Sequence, residues 1–452
     1  MRSPLRRLAL ALVAATCLSA PVLAQQATPP NPTAQQTSPN TAAPAPASSS
    51  MHADVVRQIM GSDGYRKAID LFDREHDRWV NEVIQLTEIE APPFKEAKRA
   101  AVYAEMFKAH GLQDVEIDPE GNVLGMRRGT GGGPLIVASA HLDTVFPEGT
   151  DVKITRRGTR LYAPGVGDDS TGLATLLQYI RGLDAGGIKT KADILFVGTV
   201  GEEGLGDLRG VRYLFTKGKH KDQIKAFFSL DGGGVTEFAT GGVGSKRYRV
   251  TFKGPGGHSY GAFGLVNPMA AMSQAVVELY KTNVPIKPKT TYSASVVNGG
   301  TSVNSIPNEV WMEFDMRSES AEELARVEKR FLDILAQAVE TENNARSTKE
   351  GRITFDAKLV GDRPAGQTDA KADIVQFATA AYAAHGLKPE YRTGSTDSNM
   401  PMSLGIPAIT MPRADKGGRA HSLDEWVDVE KDSNLMVKKT GLTTILAVAG
   451  ME

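Results

Sequence analysis

The residues able to do chemistry lie in short polar clusters, most of which follow an apolar run. The run from Leu135 to Ala140 leads into His141-Leu-Asp143-Thr-Val145, and a glycine-rich loop reads Gly165-Val-Gly-Asp168-Asp169-Ser-Thr-Gly172. Ala192 to Thr199 leads toward Gly201-Glu202-Glu203-Gly204, and Ala226 to Leu230 into Asp231-Gly-Gly-Gly234. Carboxylates gathered a few ångströms apart as bare anions would raise one another's pKa strongly, so a crevice that collects these groups calls for cations. A pair of divalent ions answers that need. One bridging carboxylate, with a His and a carboxylate on each ion, is the general design of two-metal hydrolases, which polarise a scissile carbonyl and acidify a bridging water. Adjacent Glu202 and Glu203 can then divide the tasks of general base and ligand. Neither glycine run ends in the Lys and Ser/Thr of a phosphate loop, and the neighbouring carboxylates would repel phosphate.

Such clusters need strand ends to hold them. The apolar runs alternate with helical stretches such as Thr171 to Leu183, which predicts an α/β fold with a mostly parallel central sheet and helices on both faces. In open α/β sheets ligands bind in the crevice beyond the carboxyl ends of the strands, where these motifs fall. Upstream, Ile69, Phe72, Trp79, Val83 and Leu86, then Ala100, Tyr103 and Phe107, recur at helical spacing on either side of Pro92-Pro93, giving two helices. Between 245 and 361 the order becomes β-α-β-β-α-β, that of a ferredoxin-like unit. A helix at 372–384, a strand near 408–411 and a closing helix from Ser433 resume the first style. The chain thus reads as one α/β domain, 52–244 plus 362–452, with a smaller domain at 245–361 inserted in it.

Of 452 residues, 41% are hydrophobic and 23% charged, and Cys17 is the single cysteine. Arg2, Arg6 and Arg7, an apolar stretch from Leu8 to Leu18 and the small-residue exit Val22-Leu-Ala24 have the layout of a secretory signal peptide, so the expected location is periplasmic or secreted. Lipid attachment at Cys17 is the alternative, although Thr16 fits poorly the small residue such sites prefer before the cysteine. Cleavage after Ala24 leaves no cysteine, which excludes disulfides and thiol nucleophiles and leaves His, Asp and Glu as the strong metal ligands. It also changes the balance from 52 basic against 53 acidic residues to 49 against 53. No bulk basicity points to nucleic acid, and no later apolar run is long enough for an integral membrane span. Residues 25–50 carry no charge and no large apolar side chain, so 25–51 reads as a disordered spacer.

Five motifs in fixed order, His141-Leu-Asp143-Thr-Val145, Gly165-Val-Gly-Asp168-Asp169, Gly201-Glu202-Glu203-Gly204, Asp231-Gly-Gly and Ala420-His421-Ser-Leu-Asp-Glu425, resemble those of the M20 metallopeptidases. This is the di-zinc aminoacylase/carboxypeptidase clan that includes peptidase T. The resemblance implies two Zn2+, with Co2+ or Mn2+ as substitutes, held by His141, bridging Asp168, Glu203, Asp231 and His421. It implies that Asp143 orients His141, that a cis peptide joins Asp168 to Asp169, and that Glu202 is the general base acting on a metal-bridging water. The inserted segment resembles the family's lid and dimerisation domain, so a homodimer is implied. In Gly254-Pro-Gly-Gly-His258-Ser the histidine would reach a substrate carbonyl, often across the dimer. Asn304 in Ser302-Val-Asn304, Arg317 in Asp315-Met-Arg317, and Gly394 and Asp397 in Gly394-Ser-Thr-Asp397 match substrate-contact positions, with Arg317 suited to a carboxylate. The implied activity is exopeptidase action on short peptides. Asp at 231, where several acylase and carboxypeptidase relatives have Glu, leans toward an aminopeptidase or tripeptidase. A carboxypeptidase or N-acyl-amino-acid amidohydrolase would keep every metal residue, and a non-catalytic metal-stabilised binding protein would not need the intact Glu202.

Taken singly, these residues have plainer readings. Asp168-Asp169 before an apolar helix is a capping pair, Glu202-Glu203 a solvated loop pair, and Arg317 a surface or ion-paired arginine. His52, His76, His110, His220 and His385 read as solvated or capping residues. His110-Gly111 and His385-Gly386 have the form of helix C-termini.

Overall fold

The computed structural model describes residues 43–44, 48–131 and 133–452. The expected signal peptide, Cys17 and most of the expected spacer lie outside the described residues.

Four parallel strands form the middle of a ten-stranded sheet, in the spatial order Ala408–Ala414, Ile224–Gly233, Leu135–His141, Asp193–Thr199. Leu135–His141 is buried along its whole length, as an apolar strand in the interior of such a sheet must be. Val123–Arg127 and Gln113–Ile117 extend one side antiparallel. On the other side Glu237–Gly242 runs antiparallel to Ala408–Ala414 and parallel to Glu390–Gly394. The register sets His141 beside Thr199 and Ser139 beside Ser229. The chain therefore leaves three neighbouring strands toward Asp143, Glu202 and Asp231 at one edge.

The helix Ser170–Ala185 is buried from Ser170 through Leu183, and Trp79 Nε1 donates to Thr175 Oγ1 at 3.1 Å. Its first turn approaches the Ile224–Gly233 strand so closely that a Cβ on Gly172 would collide with the Leu230 carbonyl and the Asp169 carboxylate. Upstream of Pro92 the structure has three helices, Ser50–Gly61, Asp63–Arg74 and His76–Thr87, followed by Ala97–Ala109. Ser62 separates the first two by accepting from Tyr65 N at 3.2 Å, an N-cap inside the helical pattern. The first helix corrects the expected spacer boundary: it starts at Ser50 because Val56 and Ile59 bury into the core. Ala43–Pro44 also pairs antiparallel with Tyr391 and Glu390. Gly111 and Gly386 follow their helices at φ 73° and 78°, the left-handed turn expected after His110 and His385.

Strands Gly244–Lys253, Thr290–Gly299, Glu309–Ser318 and Thr354–Arg363 form a separate antiparallel sheet, and in space they lie second, third, first, fourth. Helices Pro268–Leu279 and Ala321–Ala345 complete a β-α-β-β-α-β unit with its own hydrophobic cluster, including Val250, Phe252, Phe314 and Phe331. Its last strand runs to Arg363, two residues past the expected boundary, and that arginine turns toward Glu202.

Gly172→Ala is expected to destabilise the protein by about 2 kcal/mol in denaturant unfolding, the cost of overpacking a helix–strand contact. Wild-type stability in that variant would mean the helix can shift off Leu230.

Candidate metal centre

His141 ends its strand with the imidazole buried. Its Nδ1 donates to the Asp143 main-chain carbonyl at 3.0 Å, which leaves Nε2 directed at Asp168 Oδ1, 2.9 Å away. Such an arrangement fixes the ring and presents Nε2 as a ligand atom. Asp231 Oδ1 lies 3.8 Å from the same nitrogen. The other Asp168 oxygen meets His421 Nε2 at 3.2 Å, and His421 Nε2 lies 2.9 Å from Glu203 Oε1. Asp168 thus stands between two imidazoles, and the peptide bond that follows it is cis. Asp169 takes the capping role: its carboxylate accepts from Gly172 N at 3.1 Å and His141 N at 3.0 Å.

Electrostatics follow this crowding. Burial alone would lower the His141 pKa, but its hydrogen bonds to Asp168 and Asp231 outweigh burial and push it well up. Hydrogen bonds to Asp168 and Glu203 raise His421 to about 10. Burial pushes against the Asp168 charge, yet Arg413 and the two imidazoles hold its carboxyl well below the usual range. Protons here stand where cations are favoured, and a metal ion displaces such protons on binding.

Asp143 meets His141 through its main-chain carbonyl, and its carboxylate has a second task. Its carboxylate stays 3.7 Å from Nδ1 and instead accepts the main-chain N–H of Glu202 at 3.0 Å and of Glu203 at 2.8 Å. It therefore fixes the pair that follows the next strand. Glu202 is buried and its pKa is pushed well up by burial, against the pull of Arg363. Arg363 Nη1 donates to Glu202 Oε1 at 3.1 Å and to Ser395 Oγ at 3.2 Å. Asp397 is buried near the same group. Its Oδ2 accepts from Thr199 Oγ1 at 2.5 Å, its Oδ1 has no partner among the described residues, and burial raises its pKa to about 7.

The remaining expected contacts are spread out. Gly394 ends an inner strand with its carbonyl accepting from Val243 N at 2.6 Å, one residue from Ser395. Arg317 shares a rung of the smaller sheet with Ser245 and Arg363, where its Nε donates to Asp315 Oδ2 at 2.8 Å. His258 and Asn304 are brought together elsewhere, through the pairing of Gly257–His258 with Ser305–Ile306, around a cavity of about 500 Å3. His258 Nδ1 accepts from Tyr260 N and Gly261 N, both at 3.2 Å, so the neutral ring carries its proton on exposed Nε2 as a hydrogen-bond donor. No hydrogen bond or ion pair joins His258 to the metal-ligand set among the described residues.

Three arginines and one glutamate complete the centre without having been singled out from sequence. Arg413 Nη1 donates to the Asp231 carbonyl at 2.8 Å and to its carboxylate, and lies 3.5 Å from Asp168 Oδ1. Fully buried Arg99 donates to Leu142 O at 2.8 Å and to Ile89 O at 2.7 Å. Glu425 accepts the N–H groups of Gly165 at 3.0 Å, Gly167 at 2.9 Å and Asp168 at 2.8 Å, so it ties the His421 loop to the Asp168 loop. The signal for Arg363 and Arg413 was position alone, each at the end of a strand.

The donor set fits divalent ions. Eight buried carboxyl groups, those of Asp143, Asp168, Asp169, Glu202, Glu203, Asp231, Asp397 and Glu425, share the region with the guanidinium groups of Arg99, Arg363 and Arg413. That excess of acid is of the kind divalent cations would offset. One ligand atom from each of His141, Asp168 and Glu203 falls within 4.8 Å of the others, as for His141, Asp169 and Asp231. Asp169 is already engaged with two amides, whereas Asp168 offers one oxygen to each of the two imidazoles.

A largely parallel sheet that presents two imidazoles on one carboxylate, beside a buried glutamate held by Arg363, has the make-up of a metal-dependent hydrolase. The model of peptidase family M20/M25/M40 matches residues 137–438, and the chain belongs to that family, whose members hydrolyse peptide or amide bonds. Carboxypeptidase G2 of Pseudomonas sp. is 26% identical over 316 residues, covering 68% of this chain and 72% of that protein. Aminopeptidase PepT of Bacillus cereus superposes with a TM-score of 0.67 at 21% identity, covering 83% of this chain and 99% of that one. A dinuclear metal-binding M20 peptidase of Bacillus subtilis gives 0.61 at 18%, covering 83% and 99%. The two structural likenesses concern the fold.

Glu425→Ala strips three buried amides of their acceptor and is expected to cost about 3 kcal/mol or more, with metal lost on dialysis that wild type retains. Equal stability and metal content would show that the Asp168 loop holds itself.

Proposed function

We propose that this chain is a zinc-dependent exopeptidase of short peptides, most closely an aminopeptidase or tripeptidase. The observation that carries the reading is the placement of Asp168 between His141 and His421, with buried Glu202 beside the ligand Glu203. Zinc bound there would supply Lewis acidity for a carbonyl and lower the pKa of a water. Glu202, buried and raised in pKa, is suited to take that water's proton and return it to the leaving amine. Arg363 fixes the orientation of its carboxylate.

Unpartnered groups favour a short substrate with two charged ends. Asp397 Oδ1 is a buried acceptor that a substrate ammonium would satisfy, whereas Arg363 Nε and Ser245 Oγ are buried donors without partners, and Arg317 is half-exposed. The first suits a free amine, and the arginines suit a carboxylate. Carboxypeptidase or N-acyl-amino-acid hydrolysis is the second reading, kept by the likeness to carboxypeptidase G2.

A homodimer is also part of the reading. Thr290–Gly299 is an edge strand of the smaller sheet, with Val296, Val297 and nearby Val303 exposed. Pairing of two copies there would cover them and carry His258 toward the other centre, where its Nε2–H would stabilise a developing oxyanion. The leader implies export to the periplasm or beyond. No helix among the described residues is long and apolar enough to cross a membrane.

Glu202→Gln is expected to lower turnover by about a thousandfold or more with zinc content unchanged, and undiminished turnover would remove Glu202 as the base. His258→Ala is expected to lower kcat about a hundredfold with the dimer intact by gel filtration. A panel of free-amine di- and tripeptides against N-acylated amino acids, read by mass spectrometry, should show cleavage of the former, and cleavage of blocked substrates alone would reverse the choice.

A further inference from the structure

Resting on the two-ion reading of this site, we propose that Arg413 competes with one of the two divalent ions for Asp231 and so makes the halves of the centre unequal in affinity. The two oxygens of Asp168 face different company. Oδ2 meets His421 Nε2 at 3.2 Å, and His421 in turn meets Glu203 at 2.9 Å. Among the described residues, no lysine or arginine forms an ion pair with Glu203 or with that oxygen. Oδ1 meets His141 Nε2 at 2.9 Å and has Arg413 Nη1 at 3.5 Å. The same Nη1 donates to the Asp231 carboxylate and to its carbonyl at 2.8 Å. His141 Nε2 lies 3.8 Å from Asp231 Oδ1. An imidazole nitrogen and a guanidinium nitrogen therefore converge on the same two carboxylate oxygens.

A guanidinium does not deprotonate in proteins. The Arg413 side chain is only 16% exposed, so its bond to Asp231 is charge-assisted and poorly screened. An ion on the His141 side must share or take Asp231 Oδ1 from Arg413 and tolerate a fixed positive charge a few ångströms away. The arginine has room to yield. It borders a cavity of about 450 Å3 walled by Gly232, Gly233 and Lys416, and a Cβ on Gly233 would meet nothing within 4 Å. The pairing of Pro412 with Gly232 and of Ala414 with Gly233 keeps the Arg413 backbone beside Asp231 throughout. The centre thus loads in order, the His421–Asp168–Glu203 half first, and the protein itself supplies partial charge compensation for the other half.

The test is titration of chelator-stripped full-length protein with Zn2+ against a chromophoric chelator, repeated with Co2+ to follow each site by its absorption. Wild type should take up two ions in separate steps, the second weaker by about tenfold or more, the scale of one charge-assisted hydrogen bond. His421→Ala should remove the tighter step. R413Q should tighten the second step by about tenfold and leave the first unchanged, whereas R413K, which keeps the charge, should retain the separation. Two equal steps in wild type overturn the proposal, as does an R413Q protein whose second step is unchanged or lost, which would make Arg413 a positioning residue for Asp231. Should R413Q fail to fold by circular dichroism, the wild-type and His421→Ala titrations decide alone. A wild-type protein that binds neither ion sinks the two-ion reading itself, a result distinct from equal binding of both.

Discussion

Negative charge confined at the ends of parallel strands governs this structure. The sheet brings the ends of Leu135–His141, Asp193–Thr199 and Ile224–Gly233 together, and each carries acid out of its strand. Burying one unpaired carboxylate costs several kcal/mol, so a group of eight persists only with strong compensation. The protein provides part of it with Arg99, Arg363 and Arg413, and part through main-chain amides aimed at Asp143, Asp169 and Glu425. The rest is the opening for divalent ions.

Those amide bonds also explain how loops acquire rigidity. Three carboxylates each clamp the backbone of a segment that carries candidate ligands. Asp143 holds Glu202-Glu203, Asp169 holds His141 and starts the central helix, and Glu425 holds the segment leading to Asp168. Asp168, Glu203 and His421 sit on loops, but these loops are tied to other segments by buried acceptors, which is how a site keeps its geometry away from regular structure. Arg363 adds a link of a different kind, since it brings the last strand of the smaller sheet onto Glu202.

Much of this was legible in the residues. Apolar runs ending in acid gave the parallel strands and the edge where they meet, and Asp168, Glu203 and His421 do come together as their motifs implied. Less legible were features set by contacts distant in sequence. Asp143 was expected to orient His141, and its main-chain carbonyl does accept from Nδ1, but the binding of its carboxylate to two amides some 60 residues away was not legible. Arg413 and Arg363 were not singled out because their partners, Asp231 and Glu202, are 182 and 161 residues distant. The helix Ser50–Gly61 was missed because the polar composition before it masked the short apolar pattern of Val56 and Ile59.

The most direct check on the account is anomalous X-ray scattering at the zinc edge from crystals of the zinc-loaded protein. Two peaks about 3.5–4 Å apart, on either side of the Asp168 carboxylate, one toward His141 and Asp231 and the other toward His421 and Glu203, are the expected result. A single peak elsewhere, or none in fully loaded crystals, would contradict it.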